Sequence, residues 1–493
     1  MTGPDRPAAG TGAEYEHTAV PPGARKSLLS VAGVWGGFPM CLGNAVFGGL
    51  IVYNLGLREG FWAILAGNLA LLGYVGVLSH HAGRTGRSFA MQAADAFGPR
   101  GRLLVTGLLA TVVIGWFSYQ VGLTGTTLQQ VLGWTPVWGA LLGAVVYVAL
   151  TVTGIRALSL VGLVAVPLFL LTAGLAFWYA ARGGATASGA LSYRGHDHGI
   201  TFWSAVGIVV AGFADSGTMT ADFTRWSRDG RSAVYATAAA FPFGNTVAYL
   251  VGGAVVATGG AAHPATDGGS FLGLLDGHGG WITALAVLFT LANLGSVAAH
   301  CLYNAAVGWS GLTPLRMRPL AVLLGAAGAA LALTGVWTSI VSWLQLLGIL
   351  VPPIGAVLIV HQFLGRRAEN GEAAGSATTA PGAGTGADTA AGTGAVTGAV
   401  TAAGGPGLPA AQASGVPARR DHGLRWPATA SWAAGSGAAW LLHHLEPGSL
   451  DALLGFCVAA CAFGGHHLVT ARVRPHAPGG PAAAAVAAGA ARR

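Results

Sequence analysis

Apolar stretches of about 20 residues recur along most of the chain between short polar breaks, and each is long enough to cross the ~30 Å hydrocarbon layer of a bilayer as a helix. Twelve are visible, at approximately 29–54, 60–80, 103–132, 136–154, 158–181, 201–221, 233–258, 281–309, 319–337, 340–363, 427–444 and 449–470. The pattern predicts an all-α polytopic membrane protein with twelve transmembrane helices. Three tracts, 1–24, 371–417 and 475–493, are Gly/Ala/Thr/Pro mixtures without periodicity and are poor in the large apolar residues a core needs. They are expected to stay unfolded. The middle tract sets ten helices apart from a final pair.

Many secondary transporters consist of two inverted five-helix repeats whose first helices are interrupted at the midplane. The first stretch here reads GVWGGFPMCLGNAVFGG, with Gly36, Gly37, Pro39 and Gly43, and the sixth reads VAGFADSGTMTADF, with Gly212, Asp215, Ser216 and Gly217. A carboxylate near the bilayer midplane costs roughly 2.5–3.5 kcal/mol on insertion scales, so Asp215 is expected to face a wet cavity, a partner or a substrate. Glycine also serves close helix packing in membranes, which leaves packing and a functional break both open for the punctuation alone. The expected organisation is a disordered N-terminus (1–24), a first repeat (25–182), a second repeat (200–365), a disordered linker (366–426), a final helix pair (427–470) and a disordered tail (471–493).

Composition agrees with the pattern, since 53% of the 493 residues are apolar and only 9% are charged. Of the 25 Arg and Lys residues, all but Arg58, Arg182 and Arg194 fall in the termini or in alternate loops, which the positive-inside rule places in the cytoplasm. Both termini are then cytoplasmic. The net charge of +8 reports orientation, and nucleic-acid binding needs no place in the account. A single lysine, Lys26, and 80 glycines fit a GC-rich bacterial genome, hence a bacterial cytoplasmic membrane. Residues 1–24 are too polar for a signal peptide and the first apolar stretch too long for its core, so that stretch is expected to be an uncleaved span. Cys41, Cys301, Cys457 and Cys461 all lie in predicted helices without a C-x-x-C, which supports neither disulfides nor a zinc site.

The sixth stretch, GFADSGTMTADFTRWSRDGRSAV, resembles the signature of the cytosine permease and hydantoin transporter family of nucleobase cation symporters. ARKSLL before the first stretch, IGWFSYQVG in the third, FGNTVAYLVGGA in the seventh, LANLGSVAAHCLYNAAVGWSGLT in the eighth and LGILVPPIGAVLIVHQF in the tenth are similar to the same family in the same order. The resemblance covers roughly residues 22–365 and, weakly, 427–470. It implies a five-plus-five inverted repeat with broken first and sixth helices plus two extra C-terminal helices, and import of cytosine or a related nucleobase by cation symport. By position it makes Trp116 the ring that stacks on the heterocycle, a contact worth roughly 1–3 kcal/mol by analogy with single-stranded nucleic-acid complexes. Gln120 follows one turn later, Phe213 covers the opposite face, backbone at Gly212 and around Ser216 reads the edge, and Asn293 pairs with the base amide. A sodium site is implied at carbonyls around Phe38 and Cys41 with the Ser296 hydroxyl.

The chain departs from that pattern in two places. Val297 replaces a second hydroxyl beside Ser296, which removes an oxygen from the sodium shell. Asp215 stands where small neutral or hydroxyl side chains are usual. It reads either as a substrate ligand, pairing with the N–H and amine of an aminopyrimidine, or as a proton carrier. His300, one turn beyond Ser296, is a further candidate for coupling, so the coupling ion is sodium or a proton. Asp222 is expected to pair with Arg225 or another cytoplasmic arginine and lock the inner gate. Pro352 and Pro353 are expected to act as a gate hinge or a static kink. No G-x-S-x-G, H-E-x-x-H or P-loop occurs, and the two acids of the sixth stretch share one helix, so an enzyme is not expected. The alternative substrates are other flat heterocycles: a thiamine-precursor pyrimidine, uracil, allantoin or a hydantoin. The expected partners are the base and the lipid bilayer, with the protein acting as a monomer and carrying no cofactor beyond the coupling ion.

Overall fold

The computed structural model describes residues 14–15, 17–196, 199–261, 263–265, 268–377 and 423–473. Among them the protein is helical, with a single isolated bridge between Lys26 and Ser227. The first expected span is two helices. α1 (Leu28–Gly37) is capped by the Ser27 hydroxyl, which accepts from the Ser30 N–H. After an irregular turn at 38–41, α2 (Leu42–Thr85) starts from Cys41 and absorbs both the rest of the first span and the whole second one. The two halves of α2 meet at Gly56, whose φ of 79° and ψ of 168° reverse the chain. A Cβ there would lie 2.7 Å from the backbone of Arg194, so only glycine fits. α3 (Phe89–Leu132) likewise adds a short segment before the third span, bent at Gly98 and Pro99.

α4 (Pro136–Thr153), α5 (Ile155–Arg182) and the short α6 (Ala187–Ser192) follow. The sixth span is fragmented into α7 (Phe202–Ala211), α8 (Ala214–Thr218) and α9 (Ala221–Thr224). α10 (Gly230–Ala238) is capped by Asp229, whose carboxyl the Ser232 N–H, at 2.8 Å, holds below the usual carboxylate range. It passes through a π-helical stretch, Ala239–Asn245, into α11 (Thr246–Ala257). Pro242 cannot donate an N–H, and the widened turn accommodates it without breaking the seventh span. α12 (Gly280–Ser310), α13 (Met317–Leu333), α14 (Ile340–Leu350), α15 (Pro352–Ala377), α16 (Trp426–Leu445) and α17 (Asp451–Val473) complete the chain. Eight helical segments of the described residues are long and apolar enough to cross a membrane. The first, sixth and ninth expected spans appear as shorter apolar helices, and α16 takes the place of the eleventh.

The helices sort into two packed groups. α2 packs against α7, α10 and α11, with α1 against α10; α3, α4, α12 and α13 pack on one another; and α5 touches both α1 and α12. α16 and α17 pack together and against α15. At the break between α14 and α15 the Ile354 N–H bonds the Val351 carbonyl, which leaves the Leu350 carbonyl to the Trp432 indole at 2.9 Å. The prolines thus interrupt the tenth span, and α16 caps the interruption.

Two expectations about unfolded tracts need correction. The described part of 14–24 is anchored at two points: Glu14 and Val20 are buried, and the Val20 N–H donates to the Gly86 carbonyl at 2.9 Å. Residues 366–377 of the expected linker continue α15, while 378–422 and the tail from 474 lie outside the described residues.

Where α2 crosses α11 the backbones touch. A Cβ on Gly252 would lie 1.8 Å from the Ala45 carbonyl oxygen, and one on Gly48 would lie 1.9 Å from that of Tyr249. Small residues allow such approach, which drives helix association in lipid. Gly252→Leu is therefore expected to destabilise the fold by at least ~1–3 kcal/mol, read as a lower melting temperature in detergent. Gly174→Leu, which meets nothing within 4 Å, is expected to melt like wild type. Equal melting of the two variants would contradict the close crossing.

Candidate functional site

The two breaks lie side by side. Between them, α3 and α12 close a small cavity. The turn after α1 contributes Phe38 and Cys41, α2 contributes Asn44, and α3 contributes Trp116 and Gln120. The broken sixth span contributes Gly212, Phe213 and Ser216, and α12 contributes Val297 and Cys301. Its volume is about 10 Å³, room for roughly one water and far below the ~300 Å³ of the smaller ligand pockets. The aromatic walls are steadied by further rings: Phe213 meets Phe38 edge-on at 5.3 Å, and Trp116 meets Phe47 and Tyr119 edge-on at 6.4 and 6.0 Å.

Several expected site residues serve the break itself. The Asn293 carboxamide accepts from the Leu42 N–H at 2.9 Å and donates to the Met40 carbonyl at 2.8 Å, so it staples the broken first span to α12 and does not line the cavity. Ser296 donates to the Gly37 carbonyl at 3.3 Å. His300 stacks on Phe38 at 5.1 Å with Nδ1 bonded to the Ser296 carbonyl, and its Nε2 has no partner. Of the candidate sodium ligands Phe38, Cys41 and Ser296, the Cys41 carbonyl already accepts from the Asn44 and Ala45 N–H groups, each at 3.2 Å.

The acids fall elsewhere than expected. Asp215 is fully buried. One of its oxygens accepts from the Ser216 N–H at 2.6 Å, and the other has no partner. The carboxylate does not line the cavity. The Trp116 Nε1, the Gln120 Oε1 and the Tyr249 hydroxyl also lack partners. Asp222 does not pair with Arg225. It accepts from the Phe89 N–H at 2.9 Å, and the fully buried Arg225 guanidinium donates to the carbonyls of Glu14 and Tyr15 at 2.9 Å. Pro352 and Pro353 do not line the cavity; Pro353 packs between Gly435 and Gly455 of the final helix pair.

Sequence reading missed a ladder of buried amides. Asn44 donates to the Pro39 carbonyl at 2.7 Å and to Asn245 at 3.0 Å, and Asn245 donates to Asn68 at 2.8 Å. The ladder ties the first break to the second and seventh spans. Asparagines in otherwise apolar stretches were the available signal.

The two ends of the molecule differ. A cleft of about 1030 Å³, lined by Asn54, Glu59, Arg194, Gln345, His443 and Asp451, narrows to Phe47, Ile208 and Ala211 beside the small cavity. Phe47 also stacks on Tyr119 at 6.2 Å, so one aromatic layer separates cleft from cavity. The arginine-rich end is sealed. Trp35 donates to Thr220 at 3.1 Å, Thr220 bonds Ser79, and Ser79 bonds Thr237, each of these at 2.8 Å.

Two interrupted helices enclosing a cavity inside a helical bundle are the arrangement of many secondary transporters. The chain belongs to the family of permeases for cytosine/purines, uracil, thiamine and allantoin, whose model matches residues 20–378. It is 30% identical over 356 residues to the cytosine permeases of Escherichia coli K12 and O157:H7, covering 72% of this chain and 82% of theirs. Its fold is similar to that of Mhp1, a nucleobase-cation-symport-1 family transporter, closed with bromovinylhydantoin bound. The TM-score is 0.69 at 18% identity, over 92% of this chain and 94% of that one. An inward-facing Mhp1 structure gives the same TM-score. A Na+-coupled sialic acid symporter gives 0.57 at 11% identity over 91% of each chain. The protein is accordingly a multi-pass membrane permease and not an enzyme.

If Asn293 is a staple, Asn293→Ala is expected to cost ~1–3 kcal/mol by leaving a buried N–H and C=O unpaired, seen as a lower melting temperature without substrate. Asn293→Asp, which keeps the acceptor for Leu42, should lose less. A residue that only touched substrate would leave the melting of empty protein unchanged.

Proposed function

We propose that this permease imports an amino-bearing nucleobase, cytosine foremost, across the bacterial cytoplasmic membrane by proton-coupled alternating access. The observation that carries the reading is the cavity between the two breaks, where the flat rings of Trp116 and Phe213 stand among buried polar atoms that have no partner. A planar base offers two faces for stacking and one polar edge. The unpartnered oxygen of Gln120, which lines the cavity, is an acceptor, and it suits an edge bearing N–H groups better than the carbonyls of uracil. The cavity is too small for a base as it stands, so binding parts its walls, and Phe47 is placed to move as the cover.

Coupling by a proton is favoured by the composition of the corner at Ser296. Val297 supplies no oxygen there, and Ser296 bonds Gly37, while Asp215 and His300 offer buried titratable groups beside the break. The arginine distribution orients the sealed end to the cytoplasm, so the structure corresponds to a state closed inside with its cleft outside.

Uptake of labelled cytosine into vesicles is expected to collapse with a protonophore and to persist when sodium is replaced; the reverse pattern contradicts proton coupling. Competition by uracil, allantoin, a hydantoin and hydroxymethyl-aminopyrimidine ranks the substrates, and a winner without an amino group contradicts the reading of the edge. Trp116→Ala is expected to weaken base binding about 10- to 100-fold, the size of one stacking contact. Trp116→Phe should retain most of the affinity.

A further inference from the structure

The seal at the arginine-rich end contains one acidic side chain from the segment that precedes the first helix. Glu14 is only 8% exposed. Its carboxylate accepts from the Tyr303 hydroxyl of α12 at 2.8 Å and from the Ile155 N–H, the first of α5, at 3.3 Å. A helix N-terminus favours an anion. Gly154 makes the approach possible, because a Cβ there would lie 2.1 Å from the carboxylate oxygen. Behind Glu14, the buried Arg225 that follows α9 holds the carbonyls of Glu14 and Tyr15, both at 2.9 Å. The Tyr15 ring meets Trp226 edge-on at 5.8 Å.

These contacts join elements that alternating access must separate. Arg225 continues the broken sixth span, which belongs with α2, α10 and α11, whereas Tyr303 belongs to the group of α3, α4, α12 and α13, and α5 bridges the two. Glu14, its backbone carbonyl held by Arg225 of one group and its carboxylate held by Tyr303 of the other, resists their parting. Buried, charge-assisted hydrogen bonds are among the stronger ones. The Asp222 carboxylate forms no ion pair with Arg225: it accepts from the Phe89 N–H, and the Arg225 Nε reaches only the Asp222 backbone carbonyl, at 3.4 Å.

We infer that Glu14 is the pin of the inner gate: it locks the arginine-rich end while the cleft is open on the opposite side, and it is withdrawn, with its chain segment, each time the protein opens inward. The inference rests on alternating access and on no particular substrate. It also assigns a transport role to a stretch of chain that precedes every membrane span.

Cysteine labelling without substrate tests it. Cys41 and Cys301 line the cavity and are buried, while Cys457 and Cys461 are exposed and are first replaced by serine. A membrane-impermeant maleimide is applied to vesicles that present the arginine-rich face, and in parallel to vesicles of the opposite orientation. Glu14→Ala is expected to speed labelling from the arginine-rich face about tenfold or more, the scale of a lost charge-assisted hydrogen bond, and to slow it from the other face. Tyr303→Phe removes one oxygen from a fully buried ring. It should act in the same direction, less strongly, and add nothing on top of Glu14→Ala. Reciprocal changes support the pin. Faster labelling from both faces means general loosening and overturns it, as does a finite wild-type rate that neither variant changes. Absence of labelling from the arginine-rich face in every protein overturns both the pin and alternating access itself.

Discussion

A helix that stops inside a bilayer leaves backbone N–H and C=O groups where no water can reach them, and each must find a partner in the protein. The architecture of this permease follows from meeting that requirement at three places. At the first break, Asn293 takes the Leu42 N–H and the Met40 carbonyl, Asn44 takes the Pro39 carbonyl, and Ser296 takes the Gly37 carbonyl. At the sixth-span break, Asp215 takes the N–H of Ser216. At the tenth, Trp432 takes the Leu350 carbonyl. Because Asn293 and Ser296 come from α12, the first break is a joint that binds the two packed groups to each other. The small cavity sits beside groups already held in place.

That arrangement also accounts for the asymmetry between the ends. On the cleft side, Phe47 lines the cleft and packs against Tyr119 and against Trp116 of the cavity wall, so the contacts there are between side-chain rings. On the arginine-rich side, closure depends on a hydroxyl ladder, a buried guanidinium and a carboxylate, spread over α1, α2, α9, α10, α12 and the segment at Glu14. Opening there must break many polar contacts together. The thin cover and the thick seal are thus different kinds of gate, one made of stacking and the other of hydrogen bonds.

Much of this was legible in the sequence. Apolar length marked the spans, and Gly, Pro and Asp in GGFPMCLG and GFADSGT marked the breaks, because those residues are costly in the middle of a membrane helix and need a reason to be there. The resemblance of GWF and GFADSGT to a permease family pointed to Trp116, Gln120 and Phe213, which do line one cavity. What could not be read was which partner a polar side chain would choose. Asn293 has the same chemistry for a base edge as for a freed backbone group, and only the fold brings Met40 and Leu42 to it. Asp215 likewise carries no sign that it stays out of the cavity lining. Glu14 was hidden by its surroundings, one of three acids in a Gly/Ala-rich tract that reads as unfolded, and the π-helical stretch around Pro242 leaves the apolar pattern of the seventh span intact.

The central claim is that a flat base is held between Trp116 and Phe213 at the meeting point of the two breaks. A structure determined with cytosine bound tests it most directly. The account predicts the ring stacked on the Trp116 indole, with Phe213 across from it, Gln120 on its edge and the cavity expanded to fit. Cytosine found in the outer cleft alone, or bound between the breaks without touching Trp116, would contradict it.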